Sequence, residues 1–234
     1  MSYKEIKQHL LSLADQDIAD HSRRFFKTAA GEYGFGDRFL GIRVPAIRQT
    51  VKRYADTHLD VTTRLLKSEY HEIRLFALLL LVAQFSKADK NRRKKIYDIY
   101  LANTRHINNW DLVDSSAHKI VGVYLENNDR SVLYKLSRSD SLWERRIAII
   151  ATYHYIREDQ FEDTLRISEQ LLDDQEDLIH KAVGWMLREV GKRDKPAEIA
   201  FLNKHYRAMP RTMLRYAIER FSNEERQNYL RGLL

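Results

Sequence analysis

An all-α fold, drawn out as a curved α-solenoid of paired helices, is what this chain of 234 residues predicts, and three observations predict it. Glycine and proline are scarce, at 8 and 3 residues, so turn punctuation is too sparse for a fold of many short strands. Apolar residues recur with a helical rather than an alternating period in nearly every segment. From residue 71 onward, similar stretches of text return at a steady interval of about 35 residues.

Taken in order, Tyr3 to Leu13 carries Ile6, Leu10 and Leu13 at helical spacing, and Ile18 to Ala29 follows with Asp15 or Asp17 placed to cap its start. Residues 30–44 (AGEYGFGDRFLGIRV) hold four of the eight glycines and form the one clear loop. Pro45 suits the first turn of a helix reaching about Tyr54. Helices are then expected near 60–67, 71–86, 90–103, 109–124, 130–137, 141–157, 161–172, 176–191, 196–206, 210–221 and 223–233.

The recurrence gives these helices an order. Arg74, Trp110, Arg146, Lys181 and Arg215 follow one another at the repeat interval, each on the longer helix of a pair. The local text is similar at EIRLFAL (72–78), WERRIAI (143–149), IHKAVGW (179–185) and MLRYAI (213–218). Two helices in about 35 residues is the signature of an α-solenoid. The Gly, Tyr and Pro positions of a tetratricopeptide unit are missing, which favours HEAT-like hairpins stacked into a superhelix with equivalent helices along a concave face. A single repeat domain over 1–234 is expected, with residues 1–70 as N-terminal helices and Gly-rich loop and 71–234 as regular helix pairs.

Composition narrows the function. Forty Lys and Arg against 33 Asp and Glu leave a net charge of +7, which favours a polyanionic partner such as nucleic acid, or is a merely solvated basic surface. The run KNRRKK (90–95) reads as a solvated helix start that could add to such attraction. With no cysteine there is no disulfide framework, thiolate metal site or cysteine nucleophile. The longest apolar run, Leu75 to Ala83, is too short to span a bilayer, and Met1 to Leu13 lacks a signal-peptide core, so a cytoplasmic location is expected. The nine His show no metal spacing, His118 and His154 reading as helix-face residues, and GEYGFG lacks the strand and Lys-Ser/Thr of a phosphate loop.

Register arithmetic then singles out four residues. Trp110 and Asp114 are one helical turn apart, Arg146 lies one repeat after Trp110, and Trp185 follows Lys181 by four, in the register of Asp114. All four are expected to project into one region. Such a set suits the release of an N3- or N7-alkylated purine, whose positive charge weakens its glycosidic bond. Asp114 would stabilise the oxocarbenium-like sugar and orient water. The two indoles would attract a cationic nucleotide, and Arg146 would keep the carboxylate ionised and grip a phosphate. Each residue also has a plainer reading: tryptophans as core packing, Asp114 as an ordinary exposed acid, Arg146 as a brace between helices.

The segments NNWDLVD (108–114), WERRIAI (143–149) and KAVGWMLREVGK (181–192), with FLGIRVPAIRQ (39–49), resemble the AlkD-type DNA alkylation repair proteins, HEAT-like-repeat DNA glycosylases of bacteria. The likeness runs from about Phe25 to Val190 in the same order. It implies a glycosylase acting on N3- and N7-alkylpurines in double-stranded DNA, in the bacterial cytosol, with no metal or organic cofactor, no membrane and no obligate protein partner. It assigns the catalytic acid to Asp114, the active-site tryptophans to Trp110 and Trp185, and the active-site arginine to Arg146. Backbone contacts would fall to Arg43, Arg48, His154, Arg188 and Lys192, and the lesion could be processed while still stacked in the duplex. The chain departs from the family's best-known branch in three places. Asn109–Trp110 stands where two adjacent tryptophans are expected, Phe25 or Phe26 where a Tyr is expected, and the loop at 31–37 is longer. Two other functions compete with the enzyme: a catalytically inactive relative that binds bent or branched DNA, and a protein–protein scaffold.

Overall fold

The computed structural model describes every residue, Met1–Leu234, as two compact units, Met1–Ser116 and Ala117–Leu234. The all-helical expectation holds, with one isolated β-bridge between Arg38 and Tyr70. No helix is long and apolar enough to cross a membrane.

In the first unit the helices are α1 (Tyr3–Leu11), α2 (Gln16–Phe25), α3 (Val44–Arg53), α4 (Leu59–Leu66), α5 (His71–Lys87), α6 (Lys90–Ala102) and α7 (Trp110–Ala117), with a 3₁₀ turn at Thr104–His106. Helix α5 is the core. Residues Leu75 to Leu81 are buried on all sides, as befits a helix apolar around its whole circumference, and α3, α4 and α6 pack on it. Caps set the starts. Ser2 and Glu5 form a reciprocal capping box on α1, the Asp15 side chain accepts from the Ile18 N–H at 3.0 Å, and Pro45 sits in the first turn of α3.

Helix α2 ends at Phe25, four residues short of the expected Ala29. Lys27 adopts a left-handed φ of 52°, and two bonds close the end: Lys27 N–H to Arg24 O at 3.3 Å and Thr28 N–H to Arg23 O at 3.2 Å. This is a Schellman stop with lysine in the seat usually held by glycine, which is why no stop signal was legible.

The loop that follows is bound to α5. The buried Glu72 carboxylate accepts three backbone N–H groups, from Leu40 (2.9 Å), Gly41 (2.7 Å) and Ile42 (3.3 Å). Gly41, at φ 79°, lies so close to the Asp15 carbonyl that a Cβ would stand 2.0 Å from its oxygen. The FLGI text therefore encodes a clamp of α2 and the loop onto α5.

The second unit opens with a five-residue π turn, His118–Gly122, and α8 (Val123–Leu125). It continues through α9 (Ser131–Leu136), α10 (Leu142–Ala151), α11 (Tyr153–Arg157), α12 (Glu162–Gln170), α13 (Asp177–Gly191), α14 (Lys195–His205), α15 (Arg211–Ala217) and α16 (Asn223–Arg231), with a 3₁₀ turn at Ile218–Arg220. The longer helices α10, α13 and α15 pack in series, each starting about one repeat after the last; α9 packs on α10, and α12 and α14 on α13. The expected helix over 141–157 breaks at Thr152, whose hydroxyl donates to the Ile149 carbonyl at 2.7 Å.

Side-chain bonds place one repeat position differently from the sequence register. Arg74 donates to Ser68 O at 3.0 Å and Arg145 to Ser139 O at 2.9 Å, each to the carbonyl six residues back, and a His180 ring nitrogen meets Asp174 O in the same way. Arg74 is thus equivalent to Arg145 and His180, not to Trp110 and Arg146, and it is a brace on the loop entering its helix.

At Gly184, α13 meets α15 in close contact: a Cβ there would lie 2.4 Å from the Met213 carbonyl oxygen and 2.5 Å from the Tyr216 Cβ. Gly184→Ala must push the two helices apart, and a destabilisation of about 1–3 kcal/mol in urea unfolding is expected. An unchanged midpoint would show that the contact yields without strain.

Candidate functional site

Trp110 opens α7, its backbone N–H taken by the buried Asn109 side-chain oxygen at 2.8 Å. Its half-buried indole stacks on Phe26 (centroids 5.4 Å apart, planes at 25°) and meets the edge of Phe25 (5.9 Å, 69°). Phe26 stacks in turn on Phe39 at 5.1 Å and 17°, and Phe39 on His71 at 4.6 Å and 22°. The end of α2, the loop and the start of α5 therefore combine to hold the indole, a pile that local pattern alone does not reveal.

His71, the first residue of α5, is 2% exposed and lies between two carboxylates. Nδ1 is 3.0 Å from Asp37 and Nε2 is 2.8 Å from Asp111; since an ionised carboxylate only accepts, both ring nitrogens donate. Burial pulls the imidazolium pKa down, yet Asp111 and then Asp37 outweigh it and push the value up to about 9. Burial acts to raise Asp37, and the hydrogen bond from His71 with the adjacent Arg74 charge overcomes this and holds the carboxyl below the usual carboxylate range. Asp111, in the first turn of α7, is half of this clamp.

Asp114 stands one turn beyond Trp110, half-buried. Burial and then the Asp114 charge raise the pKa of the buried Tyr100 hydroxyl. The Ser116 hydroxyl gives its only proton to Leu112 O at 2.6 Å, so Tyr100 donates to Ser116 Oγ at 3.0 Å. Tyr100 is a neutral donor, and Asp114 has no phenolate beside it.

In the second unit Arg146 is 5% exposed and donates to the Leu178 carbonyl at the start of α13. Trp185 is half-buried; its indole N–H donates to Glu189 at 3.1 Å, and its ring lies 6.0 Å from Tyr153, which meets His118 edge-on at 5.4 Å. Glu189 also takes Lys192 at 2.6 Å and Arg188 at 3.8 Å, and Arg188 pairs with Glu219, so Trp185, Arg188 and Lys192 gather about one acid. His154 faces Glu126 at 3.4 Å. Arg43 and Arg48, in the first unit, are exposed with no side-chain partner. Nothing in the sequence points to Tyr153, because an aromatic on a helix carries no signal until its neighbours are known. No group of three His, Asp or Glu side chains is arranged to hold a metal ion.

The family model described as DNA alkylation repair enzyme matches residues 6–221, nearly the whole chain. The chain belongs to the DNA alkylation repair enzyme family. Two solved structures share the chain's fold. One is titled "Predicted DNA alkylation repair enzyme from Enterococcus faecalis", with a TM-score of 0.68 and 15% identity, covering 90% of this chain and 97% of that one. The other is smu.31 from Streptococcus mutans UA159, with a TM-score of 0.53 and 17% identity, covering 86% and 94%. Among curated proteins none matches.

The His71 clamp has a defined pH signature. A group whose pKa rises on folding, here from 6.5 to about 9, gives stability that is whole below pH 6.5 and is lost as pH climbs through 9. His71→Gln should lose about 3 kcal/mol at pH 6. Urea unfolding should show that gap narrowing by pH 9.5, and an equal gap at both pH values would remove the charged clamp.

Proposed function

We propose that this chain is a DNA glycosylase that hydrolyses the N-glycosidic bond of cationic N3- and N7-alkylated purines in duplex DNA. The observation that carries the reading is Asp114, a half-buried carboxylate one helical turn from an indole held in an aromatic pile, in a chain of the DNA alkylation repair family.

The chemistry needs little else. The alkylated purine is already a cation and leaves readily. As the C1′–N bond breaks, its electron pair passes to the purine, which departs neutral, and positive charge develops on the sugar. The Asp114 carboxylate lowers the energy of that charge and holds the water that adds to C1′, accepting its proton and passing it to solvent. The Trp110 face attracts the cationic nucleotide. Arg146 and Trp185 are assigned to the lesion by the repeat register alone, the guanidinium for a phosphate and the indole for a second stacking face. Arg43 and Arg48 are ready for phosphates, while His154, Arg188 and Lys192 would exchange their present carboxylate partners for them. A cytoplasmic location follows from a genomic DNA substrate.

Purified protein incubated with duplex DNA carrying N7-methylguanine should release the free base. Asp114→Asn should slow release by about 100-fold or more while duplex affinity stays near that of the wild type. Equal rates from both proteins defeat the assignment; binding without release points to a non-catalytic DNA-binding member of the family. Arg48→Ala should flatten the dependence of log affinity on log salt by about one unit. Affinity indifferent to salt in the unaltered protein would favour a protein-binding scaffold instead.

A further inference from the structure

The segment that sequence analysis singled out and the chemistry above leaves unused is the loop GEYGFGD. Its tip carries Phe35, which at 69% exposure is the most exposed large hydrophobic side chain in the protein. Such a ring in water is unfavourable unless something covers it.

The loop that presents it is firmly held. Gly34 rests on the end of α2: its N–H donates to the Lys27 carbonyl at 3.0 Å, and a Cβ there would lie 2.4 Å from the Phe26 carbonyl oxygen. Two turn bonds of 3.0 Å bracket the tip, Phe35 N–H to Glu32 O and Asp37 N–H to Gly34 O, and Asp37 is locked by His71 and Arg74. The ring therefore has a fixed base, next to the segment of α2 whose Phe25, itself 57% exposed, touches Trp110.

Charge indicates what covers it. Arg24 and Lys27, on the same end of α2, are exposed and have no side-chain partner. Glu32, the one acid of the loop besides Asp37, is turned onto the Ala29 N–H at 2.8 Å. An exposed aromatic on a rigid turn beside two uncommitted cations is complementary to stacked bases flanked by phosphates.

We propose that Phe35 is a stacking wedge, entering the base stack of duplex DNA beside the lesion while Arg24 and Lys27 hold the flanking phosphates. The inference rests on the reading above that the chain binds duplex DNA, and it names a contact which that reading does not require.

The test uses the whole protein and duplexes with 2-aminopurine placed in turn at positions around an alkylated purine. Binding should raise 2-aminopurine fluorescence several-fold at one or two adjacent positions. Phe35→Ala should abolish that rise and weaken binding by about ten-fold, as expected for one base–aromatic stack. Phe35→Trp should retain both, and the exposure of the site predicts melting temperatures unchanged in either variant. If Phe35→Ala binds and brightens the probe like the wild type, or the wild type binds with no brightening anywhere, the wedge is overturned while the glycosylase reading stands on base release. If the wild type binds no duplex at low salt, both fall. Sedimentation showing a dimer that Phe35→Ala dissolves would assign the ring to a second copy of the chain and overturn the wedge.

Discussion

A single buried imidazolium organises the first unit. His71 joins three segments far apart in sequence: the Gly-rich loop through Asp37, the start of α5 on which it sits, and the start of α7 through Asp111. With Arg74 on Asp37, two cations and two anions are withdrawn from water as a neutral set. Their mutual attraction offsets desolvation only while all are present, so the cluster behaves as one unit. A cation in the first turn of α5 is also opposed by the helix macrodipole, which makes the flanking carboxylates a condition of its being there; Asp111, in the first turn of α7, is favoured by its own helix. The clamp is therefore what fixes where α7, and with it Trp110 and Asp114, begins.

Aromatic contact carries that constraint outward. Trp110 lies on Phe26, Phe26 on Phe39, and Phe39 on the clamped His71. Phe26 reaches the indole only because α2 stops at Phe25 and the left-handed Lys27 turns the chain. The tilt of the indole is thus set by a helix end more than eighty residues earlier in the chain.

Much of this was legible in advance, and the gaps have a common cause. Periodicity reveals which face of a helix is buried, so the helices and their recurrence through α10, α13 and α15 were readable, as was the spacing of Trp110 and Asp114. What was hidden depends on pairs distant in sequence. Nothing local shows that His71 will meet Asp37 and Asp111. The early end of α2 was missed because lysine takes a seat where glycine is the usual signal. The register of Arg74 is ambiguous in the text because neighbouring basic residues look alike, and only the bonds of Arg74, Arg145 and His180 to the carbonyl six residues back fix it. Counting gives the position of Trp185 in the repeat, whereas nothing in the text signals that Tyr153 lies beside its ring.

The triple acceptance at Glu72 bears on how a polyanion can approach. Three consecutive amides, at Leu40, Gly41 and Ile42, converge as backbone cradles for phosphate commonly do, but here the protein's own carboxylate fills the cradle. An incoming phosphate would find the seat occupied and an anion behind it. On the proposed reading, a duplex along this stretch would be met by side chains that reach past the main chain, and the long, rotatable arms of Arg43 and Arg48 begin just beyond the occupied amides. Grip through such arms would tolerate a backbone whose path varies, a useful property for a duplex that is not uniform in shape.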